Sequence, residues 1–287
     1  MTKYVVAVSG GVDSVVLLDM LVSKKLPITY CLLPIAYQLI VAHFDHGIRV
    51  DSGQDAIFVS DLAKKYGLQF ETKREELGPK ASENTARISR YNFLRSVAKK
   101  HNAQLVTAHH TDDVIETIAI NLSRGTGWRG LAVLDSDILR PLTDMTKSEI
   151  MEYAKQHKLA WREDSTNAGE TYLRNRIRQK TMNLDDDSKR QLLGLWSQQK
   201  SLKQSIDQEV ARIVGDGPIY SRYFFTHLDS LTGAECLRQI VDARLTRPQI
   251  KKALHAIKTA LPRKVYLAGS GVEINFTSRN FTVKLIK

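Results

Sequence analysis

Apolar and polar positions along the first half of the chain switch repeatedly between a period of two and a period near 3.6. Val5-Val6-Ala7-Val8 is a short β-branched run, and after Ser9-Gly10-Gly11 the apolar positions return at helical spacing through Val12, Val15, Val16 and Leu18. This reads as strand, tight turn and helix, with the helix ending near Ser23. The unit then recurs. Residues 37–42 and 69–72 form strands, the first leading into a helix over 52–66 and the second into one with Ile88, Tyr91, Leu94 and Val97 on one face. Residues 104–108 form another strand, followed by a helix whose inward stripe is Ile115, Ile118, Ala119 and Leu122. Residues 138–142 look like a last short strand, and the capping box Thr146-Lys147-Ser148-Glu149 opens a helix that turns Ile150, Tyr153 and Ala154 inward. Strands alternating with helices predict an α/β fold with a doubly wound, mostly parallel sheet.

The pattern changes after residue 184. Asp185-Asp186-Asp187 is followed by a long helical pattern over 188–214, then by helices over 228–245 and 247–261, the latter with Pro248 in its first turn. Residues 265–267, 272–276 and 281–285 alternate around Gly269-Ser270-Gly271 and Ser278-Arg279-Asn280, a small β meander. The expectation is two domains, 1–184 and 185–287, the second smaller and mostly helical with terminal strands.

Composition sharpens this. A chain of 287 residues with 43% hydrophobic content can fill two cores. A net charge of +11 and a pI near 9.5 favour a polyanionic partner. Cys31 and Cys236 are far apart, so the sequence offers no disulfide framework and no CxxC site, which points to a reducing compartment. The most apolar later stretch, 28–42, is interrupted by Pro34 and Gln38 and is short for a membrane span. The reading is a soluble cytoplasmic protein with no membrane partner.

Candidate chemistry gathers at the predicted strand ends. The loop Ser9-Gly10-Gly11-Val12-Asp13-Ser14 places free amides and a helix N-terminus at one point, with glycines that allow positive φ, so it reads as an anion site. No lysine follows the glycines, which excludes the Walker type. A second polar cluster, His43-Phe44-Asp45-His46-Gly47-Ile48-Arg49, follows the second strand. At the end of the strand over 104–108, His109, His110, Asp112, Asp113 and Glu116 exceed what a helix cap needs and suggest catalysis or Mg²⁺ binding. Arg87 and Arg90 share a helix face that could hold phosphate, the loop 123–130 carries Arg124 among glycines, and Arg174, Arg176 and Arg178 raise a local positive potential.

The hexapeptide 9–14 resembles the PP-loop of the ATP pyrophosphatases, which split ATP between its α and β phosphates. With the segments 43–49, 83–91, 107–117, 124–127, 140–142, 163–167 and 172–178 in order, the chain resembles the tRNA(Ile)-lysidine synthetases over roughly residues 3 to 180. Residues 246–250 and the closing strands also resemble that family's first C-terminal domain, whereas 26–37 is longer and more apolar than the family's usual connection. The resemblance implies a ligase that uses ATP and Mg²⁺ to join free lysine to C2 of the wobble cytidine of a CAU-anticodon tRNA(Ile), through an adenylated intermediate. It implies that Ser9, Gly10, Gly11, Val12, Asp13 and Ser14 bind the nucleotide, with Asp13 holding Mg²⁺ or placing pyrophosphate. Asp113, with Asp112, Glu116 and His109, would orient base or lysine and take the amine's proton. Arg87 and Arg174 would meet phosphate or nucleotide, while Arg90, Arg124, Arg176 and Arg178 would contact RNA. The C-terminal domain would bind tRNA, and a homodimer is compatible. Rival readings are a tRNA-thiolating or amide-forming PP-loop enzyme, a metal phosphohydrolase built on 109–113, and a basic RNA-binding module without catalysis. Thiolating relatives commonly need paired cysteines, which Cys31 and Cys236 do not supply.

Overall fold

The computed structural model describes residues 1–26, 36–47, 52–78, 82–134, 136–162, 177, 180–181, 184–215 and 217–286. They divide into two compact units, Met1–Lys200 and Ser201–Lys287. The first unit opens with β1 (Thr2–Ala7), α1 (Val12–Ser23), β2 (Tyr37–Asp45), α2 (Ser52–Lys65), β3 (Gln69–Arg74) and α3 (Glu83–His101). It continues with β4 (Gln104–Val106), α4 (Thr111–Ser123), α5 (Lys147–Gln156) and the first half of α6 (Asp186–Val214).

Its sheet has the order β3-β2-β1-β4, and every pairing is parallel. Val5 and Val6 in β1 are fully buried because helices cover both faces, which is why the strand reads as a continuous apolar run. The period of two still sorts the faces. Tyr4 and Val6 pack with Leu17, Leu18, Leu21, Val59 and Ile150 from α1, α2 and α5, while Val5 packs with Ile40, Leu94, Val97 and Leu105 on the α3 side. The chain runs outward from β1 to β3 and then returns to the other side of β1 for β4. Order therefore reverses between β1 and β4, and the loops after these two strands open a crevice at their carboxyl ends.

Residues 138–142 do not form the expected strand. Only Leu139 bridges β4, opposite Val106, with Leu139 N–H donating to the Leu105 carbonyl (2.9 Å) and Thr107 N–H to the Leu139 carbonyl (3.0 Å). Pro141 has no N–H to extend the ladder, and the chain turns at once, with Thr143 N–H donating to the Arg140 carbonyl. Arg140 is buried and donates to the carbonyls of Leu134 and Ile138, fixing the connection. The predicted capping box is present: Thr146 N–H donates to Glu149 Oε2 (2.6 Å) at the start of α5.

The second unit contains the end of α6, β5 (Ile219–Ser221), α7 (Arg222–His227), α8 (Ser230–Ile240), α9 (Arg247–Thr259), β6 (Val265–Gly269), β7 (Val272–Phe276) and β8 (Asn280–Leu285). Its sheet is antiparallel in the order β5-β8-β7-β6. The meander thus gains a fourth strand and a short helix that the pattern did not foretell. The expected helix over 228–245 is shorter, because Asp229 caps its start and Asp242 and Ala243 adopt left-handed φ after its end. Phe225, Leu237, Ile257, Ile274 and Phe281 form the core of this unit. Among the described residues, no helix is long and apolar enough to cross a membrane.

The boundary between units lies inside α6, beyond the acidic run at 185–187. The reason is Trp196, which packs with Val114, Ile118 and Val133 and donates its indole N–H to the Val133 carbonyl (2.8 Å). Val210, further along the same helix, belongs to the second core.

Candidate active site at the crevice between β1 and β4

The turn after β1 holds its own shape. Gly10 takes φ +96°, which favours glycine, whereas Gly11 is extended at φ −71°, so only the first glycine serves the conformation expected of both. Ser14 Oγ accepts from Ser9 N–H (3.1 Å) and donates to the Gly11 carbonyl (2.9 Å), and Gly11 N–H donates to Ser9 Oγ (3.3 Å). Arg162 clamps the turn from outside, its N–H bonded to the Gly10 carbonyl (3.0 Å) and its guanidinium paired with Asp55 of α2. The first-turn amides of α1 have no helical carbonyl to meet and point their dipole outward, so the loop can receive an anion.

At the end of β4, His110 is the N-cap of α4 and its N–H donates to Asp113 Oδ2 (3.0 Å). Its imidazole Nε2 lies 3.4 Å from Asp113 Oδ2 and 4.0 Å from Asp13 Oδ2, so it bridges the two loops. Burial opposes charge on His110, but the Asp112 carboxylate 3.5 Å from its Nδ1 and the fields of Asp113 and Asp13 outweigh it and raise its pKa. His109 behaves oppositely. Burial, reinforced by the positive fields of Arg140, Arg87 and Arg90, pushes it down to about 4 despite Asp113, so it is neutral at physiological pH. Its Nδ1 pairs with Thr107 Oγ1 at 2.9 Å.

Asp112 turns away to a structural clasp. It accepts from Lys147 N–H (2.8 Å) and from Lys189 Nζ (2.7 Å), joining the start of α5 and the start of α6 to α4. Burial raises its pKa, but the nearby His110 imidazole and the hydrogen bonds from Lys189 and the Lys147 amide outweigh this and hold it well below the usual carboxylate range. Lys147 also pairs through Nζ with Asp13.

Between these loops lies a cavity of about 450 Å³ whose wall includes Ser9, Asp13, Ser14, His43, Asp45, Arg90, His109 and Asp113. Buried His43 bonds through Nδ1 to the Val8 carbonyl (2.8 Å). Burial works against the charge of Asp45, yet the Gly47 amide (2.9 Å), Ser52 and Arg74 (3.1 Å) outweigh it and keep the carboxylate ionised. Arg90 is partly buried, desolvation lowers its pKa, and its guanidinium lies over the Tyr91 ring at 5.6 Å. Among the described residues no carboxylate forms a salt bridge with it, so the cavity wall presents a cation that would gain from an anionic ligand.

The structure therefore brings Ser9, Asp13, Ser14, Arg90, His109 and Asp113 to one cavity, with Gly10, Gly11 and Val12 in the turn between Ser9 and Asp13. It does not place Asp112, Glu116, Arg87 or Arg124 on that wall. Glu116 is buried in α4, Arg87 is exposed over Tyr91 (5.4 Å), and Arg124 is exposed at the end of α4. Arg174, Arg176 and Arg178 lie outside the described residues. Sequence reasoning missed Lys147, Lys189 and Arg162. Lys147 stood within the capping box, but nothing local marked its side chain as crossing to Asp13.

Mg²⁺ in nucleotide sites is held by one or two carboxylates plus substrate phosphates rather than by an all-protein cage. Among the described residues no group of three or more His, Cys, Asp and Glu forms a metal cage, while the carboxylates of Asp13 and Asp113 flank His110 on the cavity wall. That donor set fits a metal that arrives with a phosphate chain.

The profile of the family described as a PP-loop domain matches residues 1–184. The tRNA(Ile)-lysidine synthase of Solibacter usitatus is 40% identical over 182 residues, covering 61% of this chain and 39% of that protein. The tRNA(Ile)-lysidine synthase of Bacillus cereus strain ATCC 10987 is 40% identical over 190 residues, covering 61% of this chain and 38% of that protein. The chain thus spans about two fifths of the length of these curated relatives. A solved U34-tRNA thiolase from Methanococcus maripaludis superposes with a TM-score of 0.57 at 18% identity, over 70% of this chain and 72% of that one, a likeness of fold.

Proposed function

The chain belongs to the PP-loop domain family, and from this premise we propose that it is a tRNA(Ile)-lysidine synthetase, joining free lysine to C2 of the wobble cytidine of a CAU-anticodon tRNA(Ile) at the expense of ATP. The observation that carries the reading is the meeting of two strand ends at one cavity, an anion-binding turn on β1 and an acid–base cluster on β4. A ligase that adenylates its acceptor needs both: one site for the departing phosphates and one for the base and amine. The similarity to lysidine synthases over the same residues supports that choice of acceptor.

The C2 oxygen of cytosine is a poor leaving group. It attacks the α-phosphorus of ATP, pyrophosphate departs, and the oxygen later leaves as AMP when the lysine amine attacks C2. Negative charge grows on phosphate oxygens, so the first-turn amides of α1, the Ser9 hydroxyl and Arg90 stabilise the transition state, while Ser14 holds the turn through its bond to the Gly11 carbonyl. Mg²⁺, held by Asp13 and Asp113, would supply further charge neutralisation. An ammonium cannot attack, so Asp113 would orient the amine and take up its proton, with His109 kept neutral nearby. The net charge of +11 suits a tRNA partner, whose wobble base must leave the stack to reach the cavity. Arg87 and Arg174 remain candidates for nucleotide contact, Arg124, Arg176 and Arg178 for RNA, and the second unit for tRNA binding.

Incubation with ATP, Mg²⁺, lysine and CAU-anticodon tRNA, followed by mass spectrometry of the digested RNA, should reveal a lysine adduct on cytidine together with AMP. Asp13→Asn should abolish AMP formation while tRNA binding persists. Absence of the adduct with every such tRNA refutes the reading.

A further inference from the structure

Lys147 has no part in the chemistry above, and its position is hard to explain as helix architecture. It is the first residue of α5, where the helix dipole disfavours a cation, and Thr146 with Glu149 already caps that end. Its backbone is nevertheless fixed with care. The Lys147 N–H donates to Asp112 Oδ2, and the preceding turn is tied to the start of α4 by Thr111 N–H to the Met145 carbonyl (2.9 Å) and Thr111 Oγ1 to the Thr143 carbonyl (2.9 Å). From this anchor the side chain crosses to α1 and places its ammonium on Asp13, which belongs both to the first turn of α1 and to the Ser9–Ser14 loop.

That loop lacks the lysine that other phosphate-binding loops carry in sequence, yet a polyphosphate concentrates several negative charges there. The other lysine nearby, Lys189, is only 12% exposed and is committed to Asp112. Lys147 is 41% exposed, and an ion pair so open to water contributes little to stability and opens readily. We propose that Lys147 is the polyphosphate-binding lysine of this loop, supplied from α5 instead of from the loop itself. Its ammonium contacts the phosphates that leave as pyrophosphate, and Asp13 sets its place. The inference rests on the ATP-splitting reading of the site.

The test uses the full chain and two probes, inorganic pyrophosphate and AMP, titrated calorimetrically into wild type, Lys147→Gln and Lys147→Arg. Losing one charge-assisted contact should weaken pyrophosphate binding about ten-fold in Lys147→Gln while AMP binding stays within about two-fold, because AMP lacks the phosphates in question. Lys147→Arg should recover most of the loss, which a merely structural role would not predict. Unchanged pyrophosphate binding in Lys147→Gln, or equal loss for both probes, overturns the inference alone. A wild-type protein that binds neither probe overturns the ATP-splitting reading with it.

Discussion

His109 and His110 are adjacent in sequence and shifted in opposite directions: desolvation disfavours charge on both, but arginines reinforce it at His109 whereas three aspartates outweigh it at His110. His109 has a measurable consequence. Its folded pKa of about 4 lies below the ordinary histidine value of 6.5. Between these values the unfolded chain binds a proton that the folded chain does not. Stability from this residue is therefore complete above about pH 6.5 and is lost as pH falls toward 4. Denaturant titrations from pH 7.5 to 4.5 should show this fall in the wild type and a flatter profile in His109→Gln; parallel profiles would refute it. At this scale Ser9, Asp13, Ser14, His109 and Asp113, picked out by type and spacing, line one cavity. The sequence could not reveal Lys147, Lys189 or Arg162, whose partners lie far along the chain. Nor could it separate Asp112 from Asp113, since both are acidic residues in one helical turn and only the approach of α5 and α6 decides which of them is used as a clasp.

Elements were legible where periodicity was long and unopposed. The strands and helices of the first unit were found because a two-sided buried sheet forces apolar runs between amphipathic helices. The segment 138–142 misled because its apolar positions masked the weight of Pro141, which cuts off pairing after a single bridge. β5 and α7 are too short to show a period at all, and β8 and the capping Ser221 create them. The first half of α6 illustrates packing that sequence does not locate. Trp196 anchors it on α4, and the same stretch delivers Lys189 to Asp112. Trp196→Ala should cost about 3–5 kcal/mol, the usual range for emptying a buried aromatic site. Hydrogen exchange should show residues 186–200 losing protection while α8 and α9 keep theirs. Unchanged protection at 186–200 would mean that other contacts hold the helix.

At the scale of the whole molecule, the described residues gather into two cores, and the division between the units falls inside one continuous helix. Helical periodicity runs unbroken across it, and only Trp196 and Val210 facing separate cores mark the change.

The clasps around the crevice also set the order in which the protein can come into being. Lys147 and Asp112 are 35 residues apart, Lys189 and Asp112 are 77 apart, and Lys147 and Asp13 are 134 apart. Contacts closing such long loops are entropically expensive before the rest of the chain is in place, so they form late. A growing or half-refolded chain can have its first strands and helices and still have no finished crevice. On dilution from denaturant, far-ultraviolet circular dichroism should recover ahead of pyrophosphate binding. Simultaneous recovery would show that the crevice is assembled with the helices. If the lag is present, immature chains are kept from handling nucleotide until residues beyond 189 have been made and folded.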